Sequence, residues 1–465
     1  MNFEFSSKSH KVTTKPNLIV FLTCLLFNVA LSILFITATD KGVWIQSDVN
    51  SVWSQLIANN TWNDWHGVGF IFYCDACMRV FGRDISSVIL VNGLLWIAIN
   101  AVVLLYFFKV KKSNAGMVVY SLLNICFFSP YYYIMVMYKD TVFSIGFLGL
   151  TLFILFLLRG ENISPWIILL GFPAMWLVMG ARHGGQFGWS VAVIVTGIAL
   201  LKRKNVKYLV YVVICLAMTL AFDSFVNYVG FVRHEAIENP AYGTYASPMY
   251  MVSAAAYEGV EFLPEDLEAI EQVATYEEWA SFYNKYLIDD ASKSWGKIGP
   301  ERMKKVAELV DNEGYGMTLI RINWHLVTRH PVFYITHLAD PSSIVWEIFR
   351  PADGYDWALV GVPEDENIEY HLGYKIVHKL GWFAHENLIL NAICWRGGFA
   401  LTCLLIVYII SLVKKDKDFA VAFAPILVWA FLLFMINQSQ DTRYVLPVIE
   451  VSILAMAEFF SQRNA

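Results

Sequence analysis

The chain has 465 residues, of which 57% are hydrophobic and only 16% are charged, and its mean hydropathy is +0.51. A soluble domain carries roughly a quarter charged residues, so this composition excludes an ordinary soluble protein. The formal net charge of −5 indicates little because the charges are segregated along the chain, and no nucleic-acid signature, internal repeat or low-complexity tract is evident.

Apolar runs dominate the sequence, and a membrane-spanning helix needs about 20 such residues. About ten runs are evident, at roughly 17–38, 86–108, 117–137, 141–158, 166–181, 189–201, 208–225, 393–413, 419–436 and 445–461. They predict helices, because a barrel would show alternating strands instead. The run 17–38 is long for a signal peptide and predicts a retained helix. The short runs 166–181 and 189–201 could instead form one re-entrant hairpin, which would leave the topology unchanged.

Basic clusters mark every second loop. They are Lys8/Lys11/Lys15, Lys109/Lys111/Lys112, Arg159, Lys202/Arg203/Lys204/Lys207, Lys414/Lys415/Lys417 and Arg463. Short cytoplasmic loops are enriched in Lys and Arg, so both termini are predicted to be cytoplasmic. The predicted fold class is therefore all-α: a polytopic membrane protein with about ten transmembrane helices and a mostly helical extracytoplasmic segment.

Three regions follow from this orientation. Residues 1–225 form an N-terminal transmembrane module, whose first loop at about 39–85 is extracytoplasmic. Residues 226–392 form an extracytoplasmic, mostly helical domain, long enough to fold by itself. Residues 393–465 form the C-terminal transmembrane helices.

The first extracytoplasmic loop holds two candidate catalytic residues, Asp48 and His66. Tryptophans flank Asp48, which suggests a sheltered carboxylate that could act as a base or bind a divalent cation. A solvated loop acid or a helix cap is the alternative, and a lone histidine is more often a packing residue. Cys74 and Cys77 are either two small residues on one helix face or a redox pair.

Two further loops on the same predicted side carry cations. Lys139-Asp140 begins the fourth helix; Asp140 can be explained as a cap contributing about 1 kcal/mol, whereas Lys139 cannot. Arg182-His183-Gly184-Gly185 follows an uncharged run. Its arginine could bind a phosphate bidentately, and its glycines allow a tight turn or close approach to a ligand. A snorkelling arginine beside a simple turn is the alternative.

Arg443-Tyr444 opens the last helix, and Glu450 follows seven residues later. That spacing predicts a shared helix face and a separation of roughly 10 Å. An ionisable residue inside a span suggests function by default, although a structural ion pair is equally compatible. All of these motifs fall on one predicted side, which independent placement would not produce.

The ordered set of motifs resembles the C-type (GT-C) superfamily of membrane glycosyltransferases, and in particular a bacterial family of GT-C-like proteins. The resemblance covers most of the chain. The segments that carry it are Tyr138-Lys-Asp-Thr-Val-Phe143, Ser247-Pro-Met-Tyr-Met-Val-Ser-Ala-Ala-Ala256, the Pro264-Glu-Asp-Leu-Glu helix, Arg329-His-Pro-Val-Phe-Tyr334 and Thr442-Arg-Tyr-Val-Leu-Pro447. The first loop lacks the Asp-Glu pair common in mannosyltransferase relatives.

The resemblance implies transfer of a sugar from a polyprenyl-phosphate donor to an envelope glycan, lipid or protein, outside the bacterial cytoplasmic membrane. It implies that Asp48 is a general base or a ligand of a divalent cation. Arg182 and Arg443 would bind phosphate, with assistance from Lys139, and Asp140, His183, Tyr444 and Glu450 complete the candidate binding residues.

Three other interpretations stay open. One is an oligosaccharide polymerase or ligase that uses the same carrier lipid. Another is a lipid-linked-glycan flippase or transporter, which a midplane with few charges and no repeat disfavours. The third is a non-enzymatic envelope or sensory protein whose large polar segment binds a partner.

Overall fold

The computed structural model describes residues 16–38, 47–59, 61–238, 241–351, 372–437 and 439–461. Within those ranges the protein is helical, with two isolated β-bridges and no strand, which confirms the all-α prediction. The terminal basic clusters Lys8/Lys11/Lys15 and Arg463 lie outside the described residues.

The α-helices fall into a membrane part and a domain part. In chain order they are α1 Leu18–Ile36, α2 Ser47–Ser54, α3 Val68–Phe81, α4 Ile85–Tyr106, α5 Asn114–Cys126, α6 Ser129–Tyr133, α7 Lys139–Arg159, α8 Ile168–Gly180, α9 Gly185–Lys202, α10 Val206–Asn227, α11 Ala246–Tyr257, α12 Pro264–Glu271, α13 Tyr276–Phe282, α14 Asp289–Ser292, α15 Gly299–Glu313, α16 Tyr315–Arg329, α17 Pro331–Ala339, α18 Ser343–Trp346, α19 Leu372–Glu386, α20 Leu388–Cys394, α21 Gly397–Val413, α22 Lys417–Ile436 and α23 Leu446–Ser461.

The chain is a polytopic helical membrane protein. Seven helical segments among the described residues are long and apolar enough to cross a bilayer, and the pair α20–α21, bent by 62°, would make an eighth. The predicted number of about ten is therefore reached only by adding two shorter apolar helices, Asn114–Cys126 and Pro165–Gly180. The third predicted run fails to form one long helix because α5 ends at Cys126 and α6 begins separately, with Pro130 in its first turn.

Helices α7 and α23 lie at the centre of the bundle. The most apolar window of the α7 span is 100% buried and that of the α23 span 89% buried, whereas α1 is only 22% buried and lies on the outside of the bundle. Packing of α7 against α4, α8, α22 and α23 explains this difference. Lys139 is the first residue of α7, and Arg443 lies in the short 3-10 turn Thr442–Val445 directly before α23. Both cations therefore lie at the same end of the bundle, which is called the site end.

The opposite end of the bundle is held by ion pairs. Arg159 lies 2.7 Å from Asp416 and 2.7 Å from Glu458, and Lys111 lies 3.1 Å from Glu458. Arg203 pairs with Asp418. Because α7 runs from Lys139 to Arg159, the basic loops and the candidate site residues lie at opposite ends of the bundle.

A buried polar network lies between the two ends. Asn124 donates to Asn28 at 2.9 Å and to Asn100 at 3.1 Å. Tyr120 donates to Asn100 at 2.8 Å, and Tyr131 donates to Asn28 at 3.1 Å. These bonds connect α1, α4, α5 and α6, and each satisfied polar pair contributes roughly 0.6–2 kcal/mol in a membrane.

A second hydrophobic core lies within the predicted domain 226–392. It is built from residues between Ala246 and Leu338, with α11 at its centre against α13, α14 and α16. Two bridges join this domain to the bundle, Asn63 with Ile237 and Leu287 with Ser439. The later helices α19 and α20 pack instead on the bundle, where Tyr132 donates to the carbonyl of Val377.

Candidate functional site

Arg443 is the centre of an ionic cluster at the site end. It pairs with Asp48 from α2, and its Nε lies 2.8 Å from Asp441 Oδ2. Its Nη2 donates to the Tyr444 hydroxyl at 3.3 Å. Asp441 also accepts the Arg443 backbone N–H at 3.0 Å and thereby caps the turn that starts the last span. The guanidinium is thus held from two sides.

Asp48 is a carboxylate already engaged with a cation. Burial by itself would raise the pKa of Asp48, but Arg443, through its charge and its hydrogen bond, acts together with His66 and Lys139 to hold this pKa below its ordinary value. Asp48 therefore stays ionised at neutral pH. The residues that precede α2, including Trp44 of the sequence motif, lie outside the described residues.

Arg182 forms a second ion pair with Asp140. The Asp140 side chain is 0% exposed, and its partner guanidinium lies among aromatic rings, 4.8 Å from the centroid of Tyr444 and 5.5 Å from that of Trp429. Tyr444 also faces Arg443, whose guanidinium carbon lies 5.1 Å from the ring centroid. Both guanidinium groups thus lie close to one aromatic ring, whose negative face attracts cations.

Lys139 lies among these groups without a partner of its own. In the described part of the chain it forms no hydrogen bond and no ion pair, although Asp48, Arg182, Arg443 and Lys293 are close enough to affect its charge. A role as a helix cap does not account for Asp140, because the Asp140 side chain pairs with Arg182. Such a role does not account for Lys139 either. An ammonium group in this position is available to an anionic ligand.

His66 and His183 occupy different environments. His66 is 3% exposed; its burial, together with the charge of Lys139, lowers its pKa to about 4 and leaves the ring neutral at pH 7. His183 is half-exposed, and its Nε2 lies 2.6 Å from the backbone oxygen of Asp64. The loop that carries His66 and the turn that carries Arg182 are therefore in direct contact.

Close backbone contacts fix that arrangement. Gly184 has φ of +85°, which a glycine adopts without strain, and it forms the turn before α9. A Cβ on Gly185 would overlap the carbonyl oxygen of Val178, and one on Gly69 would overlap that of Gly180. The two glycines of the Arg182 motif thus make a tight turn.

Glu450 lies apart from the cluster. It is 3% exposed inside the bundle, where it accepts a hydrogen bond from Ser144 at 2.8 Å. Helix α23 begins only at Leu446, after a tighter turn that contains Arg443, so the two side chains are not on consecutive turns of one α-helix. Glu450 belongs with the buried polar residues of the bundle.

Sequence reasoning missed the contribution of the domain. Asp289 and Lys293 are electrostatic neighbours of the cluster, and the Lys293 ammonium lies 4.1 Å from the centroid of the Trp65 ring. Trp295 approaches Trp65 edge-on, with centroids 6.3 Å apart. The only available signal was the sequence Lys293-Ser-Trp295, in which a lysine lies near an aromatic residue within a largely polar segment.

The described residues do not assemble a recognisable metal centre. They contain no group of three or more His, Cys, Asp or Glu side chains placed to hold a metal ion. Asp48 and Asp441, the carboxylates nearest to Arg443, both face its guanidinium. Cys74 and Cys77 are buried free thiols on α3, as expected for small residues on a helix face.

Comparison with known proteins adds no relative to this description. The chain matches no family model, no curated protein and no solved structure.

Proposed function

We propose that the protein is a membrane glycosyltransferase that moves a sugar from a polyprenyl-phosphate-linked donor to a cell-envelope acceptor. The observation that carries this proposal is Lys139, an ammonium group without an acidic partner among the described residues, placed beside Arg182 and Arg443. The three cations lie at the ends of apolar helices. A lipid phosphate is the anion that naturally occupies that level of a bilayer.

The arrangement suits departure of a phosphate leaving group. Negative charge builds on the phosphate as the anomeric bond breaks, and preorganised cations stabilise that charge without reorganisation. Lys139 would bind the phosphate directly, whereas Arg443 and Arg182 keep their carboxylate partners and contribute their fields and remaining N–H donors. The polyprenyl chain would lie along the lipid-facing surface of the bundle.

The basic loops at the opposite end support a cytoplasmic location for that end. The proposed location is therefore the bacterial cytoplasmic membrane, with both termini cytoplasmic and the site facing outwards. A lipid-linked donor fits this placement, since nucleotide sugars are not expected outside the cytoplasm.

The proposal predicts that Lys139→Gln weakens binding of a polyprenyl-phosphate sugar by about 10- to 100-fold, as expected for loss of a charge-assisted phosphate contact of roughly 1.5–3 kcal/mol. Binding and transfer are measured on purified protein in lipid nanodiscs with a labelled donor and membrane acceptors. Lys304→Gln is the matched control, because Lys304 is exposed on α15 and its one ion pair with a described residue is loose, 3.9 Å from Glu308. Transfer that persists in both Asp48→Asn and Arg443→Ala would remove this site assignment.

One observation favours a flippase as the second candidate, namely the buried Asn28–Asn124–Asn100 network inside the bundle. Its amides bond to one another, as in a closed structural network. Reconstituted vesicles separate the two functions: a flippase equilibrates labelled lipid across the bilayer without forming a new glycosidic bond. A polymerase or ligase would form such a bond, with a lipid-linked glycan as the acceptor.

A further inference from the structure

Asp289 is a carboxylate of the domain that is held rigidly beside the cluster. The bridge between Leu287 and Ser439 fixes its segment to the loop before Arg443. The backbone N–H of Lys293 donates to the backbone carbonyl of Asp289 at 2.9 Å, and a Cβ on Gly296 would overlap that same carbonyl oxygen. The backbone that carries Asp289 therefore has little freedom to move.

The Asp289 side chain differs from the other carboxylates of the site. Asp48 and Asp441 pair with Arg443, and Asp140 pairs with Arg182. Asp289 has no ion pair within the described residues, and its buried Oδ1 has no hydrogen-bond partner there. The residue as a whole is partly exposed, so a ligand can reach it.

An aromatic surface follows in the same turn, since Trp295 precedes Gly296, which packs closely on the backbone of Asp289. Trp295 is 68% exposed, and its ring meets that of Trp65 edge-on with centroids 6.3 Å apart. The Lys293 ammonium also lies over the Trp65 ring, 4.1 Å from its centroid. Exposed indole rings offer a flat apolar face beside polar groups, which is the environment that the C–H face of a sugar ring requires.

We propose that Asp289 is the general base of the transfer reaction and that Trp295 supports the sugar of the acceptor. This inference rests on the proposed function. It assigns the acceptor to the domain side of the site and the donor phosphate to the cations of the bundle. It also assigns the substrate class, since an aromatic platform fits an acceptor that presents a sugar ring rather than a bare lipid or peptide hydroxyl.

The step is a displacement at the anomeric carbon of the donor. The acceptor oxygen forms a new bond to that carbon, and its proton moves to the Asp289 carboxylate. The bond between the anomeric carbon and the phosphate oxygen breaks, and its electron pair stays on the polyprenyl phosphate. Asp289 then releases the proton to water, so atoms and charges balance.

The charges around Asp289 suit this role. Burial raises the pKa of Asp289 to about 6, with Asp48 and Asp290 acting in the same direction and the cations Lys293 and Arg443 opposing it. The carboxylate is ionised above that pH and can accept a proton, and it is protonated and inactive below it. A base that titrates close to the working pH transfers protons most effectively.

The test compares Asp289→Asn with Asp290→Asn in the full-length protein in nanodiscs. Asp290 is the adjacent carboxylate, which accepts from Asn284 at 2.8 Å and lies 3.6 Å from Lys297. We expect Asp289→Asn to lower kcat by about 10²–10⁴-fold, with donor binding within twofold of wild type, and Asp290→Asn to stay within threefold. Trp295→Ala should raise the acceptor KM by about three- to tenfold, and Trp295→Phe by less.

The pH profile separates a base from a structural residue. Wild-type kcat should fall as the pH drops through about 6, the pKa of Asp289. Lys293→Gln removes a cation that favours the carboxylate, so it should move this acid limb to higher pH. A merely structural role would lower the rate without moving the limb.

The outcomes are distinguishable. If the wild type transfers the sugar and Asp289→Asn transfers it at a rate within threefold of the wild type, the assignment of Asp289 as the base is overturned. The glycosyltransferase proposal would still stand. If Asp289→Asn fails to fold, a wild-type profile without an acid limb between pH 5 and 7 overturns the base instead. If the wild type neither binds nor uses any polyprenyl-phosphate sugar, the proposed function fails, and the assignment of Asp289 fails with it.

Discussion

At the scale of single residues, the pair Arg182–Asp140 has the largest consequence for stability. The Asp140 side chain is fully buried, and its carboxylate has no other charged partner among the described residues. Removing one partner of a buried ion pair leaves the other charge unpaired in a medium of low polarity. That penalty exceeds the attraction that the pair contributes.

Arg182→Ala should therefore destabilise the protein by roughly 3–5 kcal/mol, and the double variant Arg182→Leu with Asp140→Leu should recover most of this loss. Denaturation in detergent measures both. Arg203→Ala is the control at the opposite end, where the side chains of Arg203 and Asp418 are 39% and 24% exposed and the expected loss is about 1 kcal/mol or less. A loss below about 1 kcal/mol for Arg182→Ala would contradict this account.

The sequence allowed the cations and acids of the bundle to be found but not their pairing. Arg443 and Asp48 stand at helix starts on one predicted side, which spacing and hydropathy reveal. Their mutual contact joins positions 395 residues apart, and no local pattern encodes such a contact. Asp289 was missed because a carboxylate in a polar segment looks solvated until the fold brings Arg443 beside it.

At the scale of elements, α3, α8 and α9 form a joint that positions Arg182. Gly69 and Gly185 allow the starts of α3 and α9 to lie directly on the carbonyl groups at the end of α8. Neither contact can relax by rotating a side chain, because both partners are backbone atoms. The joint therefore requires glycine at both positions.

Gly69→Ala should cost about 1–3 kcal/mol of stability and displace the His66 loop from Arg182, with a parallel loss of donor binding. Gly197→Ala is the matched control within α9, since no atom lies within 4 Å of its added Cβ. In that helix interior, alanine should be neutral or stabilising by up to about 1 kcal/mol. Equal stability of the two variants would show that the joint is looser than described.

Hydropathy located most apolar helices of the bundle, but it located neither α3 nor the breaks between helices. The break between Cys394 and Gly397 bends one candidate span by 62°, and it contains Arg396, the one charged residue of that span. The bend follows from packing, since Arg396 turns inward to the domain, where its Nε donates to the Glu347 carbonyl at 3.3 Å. Periodicity cannot report such a contact.

At the scale of the whole molecule, the domain and the bundle form one site. Gln440, next to the last span, donates to the carbonyl groups of Asp340 and Pro341 at 2.8 and 3.0 Å. Lys293 and Asp289 of the domain are electrostatic neighbours of Lys139 and Arg443 at the site end. Detaching the domain would remove Asp289 and Lys293 from the cluster while leaving Lys139, Arg182 and Arg443 of the bundle in place.

The proposed orientation predicts opposite labelling of two exposed positions. In a background with Cys126 and Cys403 replaced by serine, Ser294→Cys should react with an impermeant thiol reagent added outside intact cells. Glu161→Cys, in the loop after α7, should react only after the membrane is opened. The reverse result would place the site in the cytoplasm and rule out an external donor.

The 395-residue separation of Asp48 and Arg443 also determines when their ion pair can form during biosynthesis. At about 5–20 residues per second, the ribosome synthesises Arg443 on the order of 20–80 s after Asp48. Asp140 and Arg182 are synthesised much earlier, so their ion pair can form while the other ion pair of the candidate site is still missing. The cluster is therefore incomplete throughout most of insertion, and it is completed only when the turn that holds Arg443 and helix α23 join the bundle.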